Sequence, residues 1–228
     1  SLNYLLYSLL FLKKVHIQRI QFSLIKKLIK KSSSLFINNI SFYFIFLVLR
    51  YSFYNEISLE EFGVFTFALT ISTLIYSPIE IFAYILSPKL LDIFNKKIST
   101  KFISIFRDNI ILIQSLIVLV IYSFLPLIFF YFPEYNSGII YIKYLVISNL
   151  ILLHNFGIVE KLLTLDKSYY LAIFGFLSFV IFILSYFLLF SFNFSFTNSI
   201  FFSYLLSHFF YSLFLYISLF NFGINYFK

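Results

Sequence analysis

Six long apolar stretches recur along this 228-residue chain, at 34–51, 63–86, 108–132, 139–160, 169–190 and 199–220. At about 1.5 Å rise per residue, a helix over any of them crosses a hydrocarbon layer of roughly 30 Å, with tilt where it is longer. The pattern predicts an all-α integral membrane chain with six full transmembrane helices. A shorter apolar stretch, 2–12, is too short to span. It has neither the basic leader nor the small-residue cleavage site of a secretory signal. It reads as the end of a truncated transmembrane helix.

The polar gaps between the stretches sharpen this picture. They fall at 13–31, 52–62, 87–107, 133–138, 161–168 and 191–198, followed by a tail at 221–228. Basic residues occupy every second gap. Lys13, Lys14, Arg19, Lys26, Lys27, Lys30 and Lys31 lie in the first, and Lys89, Lys96, Lys97, Lys101 and Arg107 in the third. Lys161 and Lys167 lie in the fifth, and Lys228 in the tail. The intervening gaps carry none, and two of them hold Glu56, Glu60, Glu61 and Glu134. Short basic loops stay cytoplasmic, so strict alternation predicts repeated crossing with 13–31 inside and the C-terminus cytoplasmic. The expected organisation is 1–12 as the helix end, 13–33 as a basic linker, 34–220 as a six-helix lobe and 221–228 as the tail. Segments 13–31 and 87–107 also place Ile17, Ile20, Leu24 and Leu28, and Leu90, Leu91, Phe94, Ile98 and Phe102, on single helical faces. Both are expected to be amphipathic helices on the inner membrane surface, or else solvated basic loops.

Composition agrees. Charged residues are 11% of the chain against about a quarter in an ordinary soluble domain, and apolar residues are 61%. The formal charge of +8 could mark a nucleic-acid binder. All basic residues except Arg50 and Lys143 lie in the basic gaps and the tail, so topology and anionic headgroups account for the charge, and no nucleic-acid partner is expected. Cysteine is absent, which excludes disulfides and thiolate metal sites. Methionine is absent even at position 1, so the chain reads as processed or as part of a longer protein.

Candidate chemistry lies in the polar residues inside the spans. An ionisable group at a helix centre costs roughly 2.5–3.5 kcal/mol on insertion scales, so such groups face protein or water. In span 63–86, Thr66, Thr70, Thr73, Ser77 and Glu80 fall within about 40° either side of one helical line. Tyr84 and Ser87 extend that line, and Pro78 can open the backbone beside Glu80. Two readings fit: a hydrated cavity wall with Glu80 as a proton- or cation-responsive group, or a helix–helix seam of small hydroxyl residues. Asn39 and Arg50 share a face of span 34–51. Arg50 either snorkels to headgroups or offers a cationic site to an anionic group such as a phosphate. Lys143 and His154 repeat the spacing in span 139–160. His154, beside Asn155, suits a structural hydrogen bond or a proton relay. His208 is expected to be structural, and Ser199, Ser203, Ser207, Gly175 and Ser178 are expected to serve packing. No glycine-rich phosphate loop, HExxH motif or metal-ligand spacing of histidines occurs, so neither an enzyme nor a cofactor is expected.

Three passages carry a resemblance. They are Ser58-Leu59-Glu60-Glu61-Phe62-Gly63-Val64-Phe65, Leu86-Ser87-Pro88-Lys89-Leu90, and Leu127-Ile128-Phe129-Phe130-Tyr131-Phe132-Pro133-Glu134-Tyr135. In their order and topological positions they resemble polysaccharide flippases of the multidrug/oligosaccharidyl-lipid/polysaccharide exporter superfamily. The resemblance covers about 58–135, and the other spans match in layout. It implies two six-helix lobes around a central cavity, with 34–220 as the second lobe, 13–31 as the linker and an N-terminal lobe missing here. It also implies a bacterial inner-membrane transporter that flips a lipid-linked oligosaccharide to the outer leaflet by alternating access. The cavity-lining helices of that family correspond to the spans of Arg50 and of Thr66–Glu80. The alternatives are a cation-coupled drug antiporter of the same superfamily, a membrane-embedded glycosyl polymerase or acyltransferase, and a non-catalytic membrane subunit.

Overall fold

The computed structural model describes residues 22–95 and 100–221. Seven α-helices follow one another there: α1 (Phe22–Glu56), α2 (Leu59–Asn95), α3 (Thr100–Tyr131), α4 (Ile139–Leu153), α5 (Ile158–Thr164), α6 (Tyr169–Ser191) and α7 (Phe196–Asn221). A 3₁₀ turn, Pro133–Gly138, joins α3 to α4. Six helical stretches are long and apolar enough to cross a membrane. They coincide with the six predicted spans, and no strand interrupts them among the described residues.

The helix ends depart from the expectation. No break separates a surface helix from the first span, because α1 is continuous from Phe22. Segment 87–107 is likewise divided between the end of α2 and the start of α3. Residues 13–21, 96–99, the expected helix end at 1–12 and the tail from 222 lie outside the described residues. The physical reason is the lack of a terminator. Lys, Leu, Ile and Ser all sit comfortably in a helix, and 22–56 holds no glycine or proline. Pro78 and Pro88 stay inside α2, and Pro126 inside α3, as membrane helices tolerate when neighbours satisfy the freed backbone.

A second departure is in the fourth span. The uninterrupted helix expected over 139–160 is two helices with a break at 154–157, where Gly157 takes φ 81°. That left-handed conformation suits glycine, since a Cβ there would meet the backbone. Gly63, expected to stand at a helix start, lies one turn inside α2. The start is set by Ser58, whose Oγ accepts the Glu61 amide N–H at 3.2 Å.

Packing runs in a spatial order unlike the chain order. α1 lies along α6, α6 along α7, α7 on α4, α4 on α2, and α2 on α3. α1 and α2 share a two-residue turn yet touch little. Along α1 the buried face is Ser34, Asn38, Ser41, Ile45, Leu49 and Phe53, a helical period of three to four residues. Its polar half meets α6 closely, since a Cβ on Gly175 would stand 2.9 Å from Asn38 Cα.

Lipid removes most of the hydrophobic drive between helices, so shape and aromatic contacts hold them together. At the end with the glutamates (the acidic end), Phe53 stacks on Phe65 at 4.0 Å, and both meet Phe201 and Tyr141. Each such ring pair is worth about 0.5–1.5 kcal/mol beyond its area. Toward the opposite, basic end, a second core gathers Leu90, Phe94, Leu153, Phe156, Leu162 and Leu215.

Candidate functional site

The little-touching pair α1 and α2 leaves a groove near their shared turn. Its volume is about 540 Å³, and Tyr43, Phe46, Leu47, Arg50, Tyr51, Tyr54 and Phe62 line it. Six of these are α1 residues, brought to one side by helical spacing around Arg50. Phe62 closes the groove from α2, its ring 5.6 Å from Tyr54 in a T-shaped pair. Arg50 is exposed and lines the groove together with Tyr43, Phe46, Tyr51 and Tyr54.

The α2 stripe continues from this groove. Thr66, Thr70, Thr73, Ser77 and Glu80 lie along the same helical line as Phe62, on the side away from the core. Thr70, Thr73 and Glu80 are exposed, and Thr66 and Ser77 are partly so. The buried face of α2 carries Val64, Phe65, Ala68, Ser72 and Ile75 instead. The threonines are held by their own helix. Thr66 Oγ1 donates to Phe62 O (2.9 Å), Thr70 to Thr66 O (3.0 Å) and Thr73 to Leu69 O (2.8 Å). Among the described residues no other helix covers the stripe. Asn39, one turn before Tyr43 on the Arg50 face, is exposed and takes an N–H from Asn38 at 3.4 Å.

Lys143 and His154 are not part of this groove. Lys143 is exposed in the first turns of α4. His154 caps α4 and is exposed at the helix break, where its Nδ1 donates to Leu150 O at 3.0 Å. His208 is buried. Its Nδ1 lies 2.8 Å from Tyr204 O and 3.0 Å from Ser148 Oγ, linking α7 to α4. A carbonyl only accepts, so Nδ1 carries the proton. Ser199, Ser203, Ser207 and Ser178 are wholly buried, and Ser178 Oγ donates to Ser207 O at 2.9 Å across α6 and α7.

Several polar anchors had no place among the sequence-derived candidates. Gln114 of α3 is fully buried and donates to Ile75 O at 3.3 Å, beside the carbonyl that Pro78 leaves without its usual partner. Asn155, in the helix break, donates to Ser212 Oγ at 2.9 Å. Tyr141 donates to Glu61 Oε1 at 2.7 Å, which turns one acidic-end glutamate into a helix–helix tie. The tyrosines around Arg50 also went unmarked. Their spacing was readable, but in a chain with 19 tyrosines and 36 phenylalanines it does not stand out. Among the described residues, no group of three or more histidine, aspartate or glutamate side chains could hold a metal.

Six helices long and apolar enough to cross a membrane define the class, an all-α, multi-pass membrane protein. Set against protein-family models, curated proteins and solved structures, the chain matches none of them.

Proposed function

We propose that this chain is one lobe of a transporter that flips a lipid-linked oligosaccharide across a bacterial cell membrane, with the basic end cytoplasmic. The observation that carries the reading is Arg50, exposed within a spanning helix, in a groove otherwise walled by aromatic and aliphatic side chains. An arginine kept in such a place needs an anionic partner or water. Its planar fork suits a phosphate oxygen pair, and tyrosine faces give sugar rings an apolar surface with a polar rim. In this reading the lipid tail stays in the bilayer while the polar part moves along the Thr66–Glu80 stripe.

In this reading a second lobe faces the stripe and completes a cavity. Glu80, the acid at the far end of the stripe, couples movement to a proton or sodium gradient. The resemblance over 58–135 supports the same choice. The test is flux of a fluorescent lipid-linked oligosaccharide through proteoliposomes holding the full-length protein. Arg50→Ala is expected to abolish flux, Arg50→Lys to retain part of it, and Glu80→Gln to remove its dependence on the ion gradient. Unchanged flux in both Arg50→Ala and Glu80→Gln would sink these assignments.

A second reading, an antiporter of small molecules, is favoured by the groove's size. About 540 Å³ lies within the roughly 300–1,000 Å³ of pockets that hold drug-sized ligands. Arg50 argues for an anionic cargo in that case. Uptake of organic anions without flipping of lipid-linked sugar would decide for it.

A further inference from the structure

Beyond Glu80 the polar line of α2 continues to Ser87, seven residues and about 10 Å further toward the basic end. There the line is no longer uncovered. α5, the short second half of the fourth span, packs on α2. From α5, Glu160 brings a carboxylate to the end of the line, where it accepts the Ser87 hydroxyl. Glu160 is partly buried and lies inside a stretch long and apolar enough to span a membrane.

Two opposing influences meet at this carboxylate. The amides of Gly157 and of Glu160 itself also donate to it, as happens when a glutamate third in a helix reaches back to the residue before the helix. Three donors suit a charged group. Against that, α5 sits in the second core with Ile158 and Leu162 fully buried, where a charge is costly. Among the described residues no cation pairs with Glu160. Lys161, next in the helix, stands over the Phe94 ring at 4.7 Å. Lys31 of α1 is held by Asp166 at 2.7 Å and by Leu163 O at 2.9 Å. Lys89 and Asp92 of α2 and His154 before the break are exposed. Tyr169 and Tyr170 of α6 stack on each other at 4.4 Å. On α7, Tyr216 is engaged by His154 O and Arg107, and Tyr211 is buried within reach of the Glu160 charge.

We infer that Glu160 is a proton-binding carboxyl, the basic-end station of the path to which Glu80 belongs. A proton arriving from the basic side joins the carboxylate and leaves a neutral carboxylic acid; its departure restores the charge, and no other reactant is needed. Acids inside membrane spans mark proton relays of this kind. The surroundings favour a proton over a metal cation, which takes several converging oxygens, whereas Ser87 Oγ is the one side-chain oxygen bonded to the carboxylate. Protonation also changes what Ser87 meets. A carboxylate only accepts, but a carboxylic acid donates, so the bond between α5 and α2 must reverse or break. The polar line of α2 thereby registers the proton. What the proton drives rests on the transporter reading; that Glu160 binds it does not.

The test is infrared difference spectroscopy of the full-length protein in nanodiscs, between acidic and alkaline buffer. Wild type is expected to show a carboxyl C=O band that grows on acidification. That band is expected to be lost in Glu160→Gln, displaced in Glu160→Asp and Ser87→Ala, and retained in Glu80→Gln. In proteoliposomes, Glu160→Gln is expected to lose the response of lipid-linked oligosaccharide flux to a proton gradient while still binding the cargo. Identical titrating spectra for wild type and Glu160→Gln overturn the inference and leave Glu160 a helix cap. A band that sodium removes at constant pH overturns it as well, in favour of a metal-cation site. Should Glu160→Gln not fold, an undisplaced band in both Glu160→Asp and Ser87→Ala overturns it. A band that behaves as expected in a protein that moves no lipid-linked oligosaccharide sinks the flippase reading and upholds the proton site.

Discussion

Two hydroxyl stripes run through this chain at nearly the same spacing and end in opposite surroundings. On α2, Thr66, Thr70 and Thr73 lie on a face that no other helix covers among the described residues; on α7, Ser199, Ser203 and Ser207 are fully buried. Hydrogen bonding does not separate them. Thr70 donates to Thr66 O, and Ser203 donates to Ser199 O at 2.7 Å, so members of both stripes are satisfied within their own helix. The difference lies in what stands opposite. α7 meets α6 where Ser178 is small and buried, bonding Ser207 O, so the helices approach and serines fit. Among the described residues α2 presents its stripe to no other helix. A hydroxyl stripe thus states only that a face is locally satisfied; the size of the neighbouring residues decides whether it is buried.

The largest effect is expected where α6 uses the same smallness on its other side, against α1. Gly175→Val places a branched side chain against Asn38, where even a Cβ would be 2.8 Å from Oδ1. The loss is expected to be about 3 kcal/mol, seen as a large fall in the unfolding midpoint in detergent. A smaller effect is expected from His208→Ala, which severs the α7–α4 link to Ser148 and leaves that hydroxyl short of a partner. About 1 kcal/mol fits measured intramembrane hydrogen bonds, and steric trapping would measure it. The smallest change belongs to the α2 stripe. Thr66, Thr70 and Thr73 changed together to Ala are expected to alter stability by less than about 0.5 kcal/mol per site, because each bond is replaceable within the helix.

Accessibility sharpens the same comparison without disturbing it. The chain holds no cysteine, so single substitutions give unambiguous labelling. Thr73→Cys is expected to react quickly with a membrane-impermeant maleimide, and Ser203→Cys not at all. A Thr73→Cys that reacts only with a lipid-soluble reagent would place the stripe against lipid rather than water, and the cavity reading would go with it.

The spans were legible because nothing competes with hydropathy in a chain this apolar. Helix ends were less so: apolar runs stop where charge begins, whereas α1 and α2 continue through lysines that favour helix. The break at 154–157 was signalled by Asn155 and Gly157 inside an apolar run, a pair of weak helix formers that total hydropathy averages away. Of the candidate site, Arg50 and the α2 stripe were separately readable from spacing. That Phe62, on the line of the stripe, closes the groove around Arg50 was not, because α1 and α2 are neighbours in sequence yet pack only beside their turn. The buried anchors Gln114 and Asn155 had no pattern to reveal them, since their partners are single backbone or serine oxygens on other helices.

The break in the fourth span also sets an order of events during biosynthesis. Ile151 O takes a bond from Ser212, and His154 O takes one from Tyr216, some 61 and 62 residues later in the chain. At about 5–20 residues per second, those donors emerge roughly 3–12 s after their acceptors. Ile151 O meanwhile holds the His154 amide at 3.3 Å, so until then one of these two carbonyls, His154 O, waits for its partner. The nascent chain must therefore keep that segment near water or an insertion factor until α7 arrives. The last spanning helix is what completes the middle of the fold.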